Sequence, residues 1–168
     1  LPLKKRVIFL DIDGVLQHST LIVANNWRVA YAGDYSSSSF CVVGRQFVKN
    51  LAERADASVV LCSTWGETMT DLEVGDLGKM LGITFSGVVR SPMPFQQSRG
   101  DMIANYLKEH SVIEDYLLID DEHLHYSDEQ KKHLIHVNGG FGVSILNITD
   151  AYSYFKVANT PVQNNIER

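Results

Sequence analysis

The chain has 168 residues, 45% hydrophobic and 21% charged, a globular balance with length for one domain and a sizeable core, not a disordered segment. A formal net charge of −5 and a pI near 5.6 argue against broad non-specific binding to nucleic acid, while leaving room for a local basic cleft. No apolar run approaches the ~20 residues of a membrane span, and the Lys4-Lys5-Arg6 cluster leads into a short apolar run that ends in acids, unlike a secretory signal.

The two cysteines, Cys41 and Cys62, do not make a disulfide scaffold or a cysteine-based metal site. Cys62 ends an apolar run and reads as a buried thiol. The expected compartment is reducing and cytoplasmic.

Residues 6–16, RVIFLDIDGVL, open the chain's organisation. Val7 to Leu10 is apolar without alternation, the pattern of a strand buried on both faces of a parallel sheet. It stops at Asp11-Ile12-Asp13-Gly14. Two carboxylates just after such a strand lie where open α/β sheets place their chemistry. They repel each other unless a proton or cation intervenes. Mg²⁺ suits them, since it takes oxygen ligands, and a carboxylate beside it can attack phosphorus. The plainer reading is a turn capped by Asp11 or Asp13.

Residues 15–40 are polar and irregular. A short hairpin (Leu21-Ile22-Val23, then Trp27 to Tyr31) with a mobile loop is expected, either a flap over the first loop (17–40) or an inert excursion. Residues 44–56 place Phe47, Val48, Leu51, Ala52 and Ala55 on one helical face. Ala57 to Cys62 is a second buried strand, so strand, helix and strand form a parallel βαβ unit. Ser63 and Thr64 then fall beside Asp11, where a hydroxyl can hold a phosphate oxygen; a helix N-cap is the structural alternative.

Residues 67–81 read as one helix weakened by Gly75 and Gly78, Ile83 to Val89 as a third strand, and Ser91-Pro92-Met93-Pro94 as a break. Ser98 and Asp101 have near capping-box spacing and open a helix. Arg99 in its first turn opposes the helix dipole and invites an anion, or is simply solvated. Asp115 to Ile119 is a fourth strand, ending in Asp120-Asp121-Glu122. His123 and His125, spaced by two, read as surface or loop-packing residues. Leu134 to Val137 is a fifth strand, Asn138-Gly139-Gly140 a turn, Asp150 to Ala158 a last helix, and 159–168 a frayed tail. The expected fold is a three-layer, Rossmann-like α/β domain with a mainly parallel five-stranded sheet spanning 1–168.

Asp11/Asp13, Ser63/Thr64, Arg99 and Asp120/Asp121, in this order and these contexts, resemble the four motifs of the haloacid dehalogenase (HAD) superfamily of phosphohydrolases. The resemblance implies that Asp11 is the nucleophile and Asp13 the general acid and base. It implies that Ser63, or its neighbour Thr64, holds the transferring phosphoryl group and that Arg99 offsets its charge. A Mg²⁺ site would be built from Asp11, the backbone carbonyl of Asp13, Asp121 and Asp120, with Asp121 in the ligand position. Arg99 stands where the family more often has Lys. Only a minimal cap is present, which in the family goes with an open site and large substrates. The pattern DIDGVL…STW…DD is similar to HAD domains attached to RNA-repair proteins, although Gly66 replaces an Arg that many of those carry.

The expected activity is a Mg²⁺-dependent phosphomonoesterase acting on a phosphorylated small molecule or macromolecule, a nucleic-acid end among the candidates. Trp27, Tyr31, Trp65 and Phe95 are candidates for stacking on a base, though aromatics near a cleft also serve packing. A non-catalytic HAD-like binding module is the alternative, against which all four filled motifs argue. A receiver-type phospho-Asp domain fits less well. It needs an Asp near Val89 and a Lys where the chain has Val137-Asn138. Nothing in the sequence decides the oligomeric state.

Overall fold

The computed structural model describes residues 2–91 and 97–158. Five strands form one sheet: β1 (Arg6–Leu10), β2 (Ala57–Leu61), β3 (Phe85–Val88), β4 (Asp115–Asp120) and β5 (Leu134–His136). Their order is β3-β2-β1-β4-β5, and every pairing is parallel. The first strand is therefore central, with Leu10 level with Leu61 on one side and Ile119 on the other. The helices are α1 (Ser19–Ala24), α2 (Val42–Ala55), α3 (Thr64–Thr68), α4 (Asp71–Leu81), α5 (Arg99–Glu109), α6 (Asp128–Lys131) and α7 (Ile145–Tyr154), with a 3₁₀ turn at Ser37–Ser39. Among the described residues, no helix is long and apolar enough to cross a membrane.

The unbroken apolar run in β1 follows from helices covering both faces of the sheet. Ile8 and Leu10 point into a large core shared with Phe47, Val48 and Leu51 of α2, Leu77 of α4 and Ala151 of α7. Val7 and Phe9 point the other way, into a smaller core with Val60, Leu118 and Met102 and Ile103 of α5. Phe9 meets Tyr106 and Tyr116 edge-on, at ring-centroid distances of 5.6 and 6.0 Å.

Three expectations are corrected. Residues 21–23 are not a hairpin strand: they belong to α1, whose N-cap His18 accepts the Leu21 N–H through Nδ1 at 3.3 Å. Three apolar residues are too few to separate a strand from a helix. The helix ends where Asn26 and Trp27 adopt φ of 54° and 62° and the Trp27 N–H bonds the Ile22 carbonyl at 2.9 Å. The single helix expected over 67–81 is two, α3 and α4, separated by an extended Met69. Thr70 and Glu73 form a capping box that restarts the helix there, a signature present in the sequence. The last helix begins at Ile145 rather than 150, because Ser144 and Asn147 cap it reciprocally. The tail expected to fray lies outside the described residues.

Two glycines in α4 make opposite predictions. Gly75 is exposed with open space around it, whereas a Cβ on Gly78 would sit 2.6 Å from the Ile83 carbonyl oxygen. Gly75→Ala is expected to stabilise the chain by about 0.5–1 kcal/mol through helix propensity. Gly78→Ala is expected to destabilise it by roughly 1–3 kcal/mol through overpacking. Urea denaturation of the two variants measures both signs.

Candidate active site

The C-terminal edge of the sheet collects the polar residues. Asp11 leaves the end of β1 and Asp120 ends β4, the adjacent strand, so parallel pairing alone brings the two carboxylates together. Both are buried, at 3% and 2% exposure, and Asp121 is half-buried beside them. One carboxylate oxygen from each of Asp11, Asp120 and Asp121 lies within 4.8 Å of the others. Gly14, at φ 74°, makes the turn after Asp11, and a Cβ on it or on Gly139 would collide with the Asp121 carboxylate. Space for that carboxylate thus requires glycine on both sides of it.

One cation faces these acids. Arg99, the first residue of α5, lies 3.4 Å from Asp11 Oδ1 and also bonds Asp120 Oδ2. The Tyr126 hydroxyl donates to the same Oδ2 at 2.5 Å, and the Glu122 N–H donates to Oδ1 at 2.8 Å. Asp120 is therefore bonded through both oxygens and anchors Arg99. Asp11 is held less tightly: its buried Oδ1 has the Arg99 ion pair at 3.4 Å but no hydrogen bond of good geometry, and the nearby Ser63 hydroxyl acts to lower its carboxyl pKa. Burial pushes the Asp11 carboxyl well above its usual range; Arg99 pulls it down and the Asp120 charge pushes it up again. Burial also raises Asp121, with the Asp120 charge adding to it. Three acids against one guanidinium offer oxygens that could hold a hard divalent cation.

Asp13 stands apart from this cluster. It is exposed, yet both its oxygens are held: Gln17 Nε2 donates to Oδ1 at 2.9 Å and Trp65 Nε1 to Oδ2 at 3.0 Å. Ser63 is the N-cap residue of α3 but makes no capping hydrogen bond through its side chain. Thr64, next to it, is exposed.

The aromatic residues divide. Trp27 and Tyr31 are exposed, at 75% and 59%. Trp65 is not available for stacking on a base, because it is 4% exposed and packs against Tyr35 and Phe40 at 5.7 and 5.6 Å. Phe95 lies outside the described residues. The His123 ring lies 4.8 Å from that of His136, tilted at 56°, and His136 Nε2 sits 2.9 Å from the Asp121 carbonyl, beside the acids. Burial pushes the Cys62 thiol up, consistent with an inert core residue.

Sequence reasoning did not single out Tyr126, Gln17 or the indole N–H of Trp65. Of these, only Gln17 carries a local signal, four residues after Asp13.

An all-parallel Rossmann-like sheet with an acidic cluster at the carboxyl end of its central strand defines the class, a HAD-type hydrolase fold. The chain belongs to the family described as the HAD domain in Swiss Army Knife RNA repair proteins, whose model matches residues 7–146. Among solved structures it is similar to a putative HAD superfamily (subfamily III A) hydrolase from Legionella pneumophila, with 16% identity, a TM-score of 0.47, and coverage of 91% of this chain and 84% of that one. A haloacid dehalogenase-like family hydrolase from Streptococcus pneumoniae gives 14% identity, a TM-score of 0.45 and coverage of 88% and 90%. No curated protein matches the chain.

The buried carboxylates give a stability prediction. The folded-state pKa of Asp11 is raised above its unfolded value, so its contribution is full at low pH and is lost as pH rises through the folded value. At neutral pH without a cation, the charged Asp11 is a cost. Asp11→Asn is expected to raise the melting temperature in chelator by about 2–4 °C for each kcal/mol relieved. A divalent cation is expected to raise the melting temperature of the unaltered chain and to have much less effect on Asp11→Asn. A lower melting temperature for the variant in chelator would mean that the Arg99 ion pair outweighs the burial.

Proposed function

We propose that the chain is a Mg²⁺-dependent phosphomonoesterase working through an aspartyl-phosphate on Asp11. The observation that carries this reading is the convergence of the buried Asp11 carboxylate with Asp120, Asp121 and Arg99, whose guanidinium lies 3.4 Å from Asp11 Oδ1. Several buried carboxylates balanced by one guanidinium are costly in a purely structural role and suit a site that takes up a cation and a phosphoryl group.

The donor set fits Mg²⁺. Asp11, Asp121 and the Asp13 carbonyl would hold it, with Asp120 behind them fixing Arg99. The bound ion would neutralise charge on the phosphoryl oxygens. The remaining work falls to side chains. Asp11 attacks phosphorus, the bond from phosphorus to the ester oxygen breaks, and Asp13 gives its proton to that leaving oxygen. Water then attacks the phosphorus of the acyl phosphate, passing a proton to Asp13; inorganic phosphate leaves and Asp11 is restored. The free Ser63 hydroxyl donates to a phosphoryl oxygen, with Thr64 beside it. Arg99 offsets the charge that develops there.

A phosphorylated RNA end is the substrate class we favour, because the matching family is described from RNA repair proteins. The exposed Trp27 and Tyr31 offer faces for a base. Both described cysteines are free, in keeping with a reducing, cytoplasmic setting.

Hydrolysis of p-nitrophenyl phosphate tests the chemistry. Turnover is expected with Mg²⁺, to stop with chelator, and to fall by at least roughly 10³-fold in Asp11→Asn. Activity surviving that substitution overturns the mechanism. Absence of turnover by folded protein, on this ester and on 5′- and 3′-phosphorylated oligoribonucleotides, would make it a non-catalytic HAD-like module.

A further inference from the structure

Asp13 sits on an exposed turn, where a short carboxylate normally samples several rotamers. Here both oxygens are engaged by N–H donors that themselves cannot move. The buried Trp65 indole packs in a mutual cluster with Tyr35 and Phe40, which restricts the direction of its N–H. Gln17 is buried at 3% exposure, and its amide is pinned to one backbone position: Oε1 accepts the Ala30 N–H at 2.5 Å and Nε2 donates to the Ala30 carbonyl at 2.9 Å. Because the Ala30 N–H requires the amide oxygen, the NH₂ group is forced towards Asp13. Ala30, Tyr35 and Phe40 all belong to the 17–40 segment, and Ala30 and Phe40 are at most 2% exposed.

We infer that Trp65 and Gln17 are positioning residues for Asp13, and that the 17–40 segment, through them, fixes the place from which Asp13 hands its proton to the leaving oxygen. This rests on the phosphatase reading. A buried indole needs a hydrogen-bond partner wherever it packs, so a purely structural role is the competing account, and the two differ in what they do to different substrates. Proton donation matters most when the leaving group is a poor one. A nitrophenolate departs without help; an alkoxide does not. A misplaced Asp13 therefore penalises alkyl phosphates selectively, whereas a loosened fold penalises both alike.

The test uses Trp65→Phe, which keeps the ring and deletes only the donor. With glycerol phosphate and p-nitrophenyl phosphate as substrates, kcat/KM isolates the steps up to leaving-group departure. The glycerol phosphate value is expected to fall roughly 10- to 100-fold, as for a small misplacement of a reacting group. The p-nitrophenyl phosphate value should change far less. In an Asp13→Asn background, Trp65→Phe should add nothing, since coupled residues are not additive. A readout independent of turnover comes from the two tryptophan indole N–H resonances: in Asp13→Ala, the one absent from Trp65→Phe should move and the other stay. Equal losses on both substrates, no loss, a full additional loss in Asp13→Asn, or an unmoved Trp65 resonance would each overturn the inference. If the unaltered chain turns over neither these esters nor 5′- and 3′-phosphorylated oligoribonucleotides, the phosphatase reading falls and the catalytic role with it; a moved Trp65 resonance would then show that the contact itself exists.

Discussion

The burial of several like charges beside one guanidinium governs this structure. Asp11 and Asp120 are held almost out of water on neighbouring strands, with Arg99 between them. Removing charge from water is costly, and a single buried ion pair seldom recovers that cost. The protein recovers it unevenly. Asp120 receives Arg99, the Tyr126 hydroxyl and a backbone N–H, whereas Asp11 Oδ1 has only the longer Arg99 ion pair at 3.4 Å. The asymmetry divides the acids by how they are held: Asp120 is fixed through both oxygens, and Asp11 is held more loosely.

The scaffold makes such an arrangement tolerable. A parallel sheet with helices on both faces is stiff, and its central strand is gripped from either side through its whole length. Strand direction also fixes where every chain end emerges, so residues distant in sequence reach one edge without a dedicated loop to carry them. The 17–40 segment extends that rigidity outwards. Its buried Ala30 and Phe40, and the bond from the Cys41 N–H to the Leu16 carbonyl at 2.7 Å, tie it to the core beneath the first turn.

Much of this was legible in the sequence because buried parallel strands leave a plain mark. VIFL, SVVLC and YLLI are continuous apolar runs, and the acids and hydroxyls that follow them fall at one edge once the strands are parallel. The order of four weak motifs then identified the family. Other features left no comparable mark. Leu21-Ile22-Val23 suits strand or helix equally, and only His18 capping decides it. Thr70 to Glu73 did carry a capping signature, but the apolar positions on either side suggested one continuous helix. Trp65, a candidate for base stacking or, more often for such aromatics, for packing, is a core residue with one donor pointing at Asp13. Tyr126 reaches Asp120 across a loop, a meeting set by tertiary packing that no spacing rule anticipates.

The central place of β1 has a further consequence for a chain made from its N-terminus. Asp11, Asp13 and Ser63 all lie in the first part of the sequence, while Arg99, Asp120 and Asp121 come later, and β1 does not gain its second neighbour until β4 exists. A partly synthesised chain therefore carries an acid pair with no cation to balance it and a central strand with one flank unpaired. Such exposed edges favour association with other chains. Completion of the acidic cluster and pairing of the central strand thus arrive together, with the same late strand.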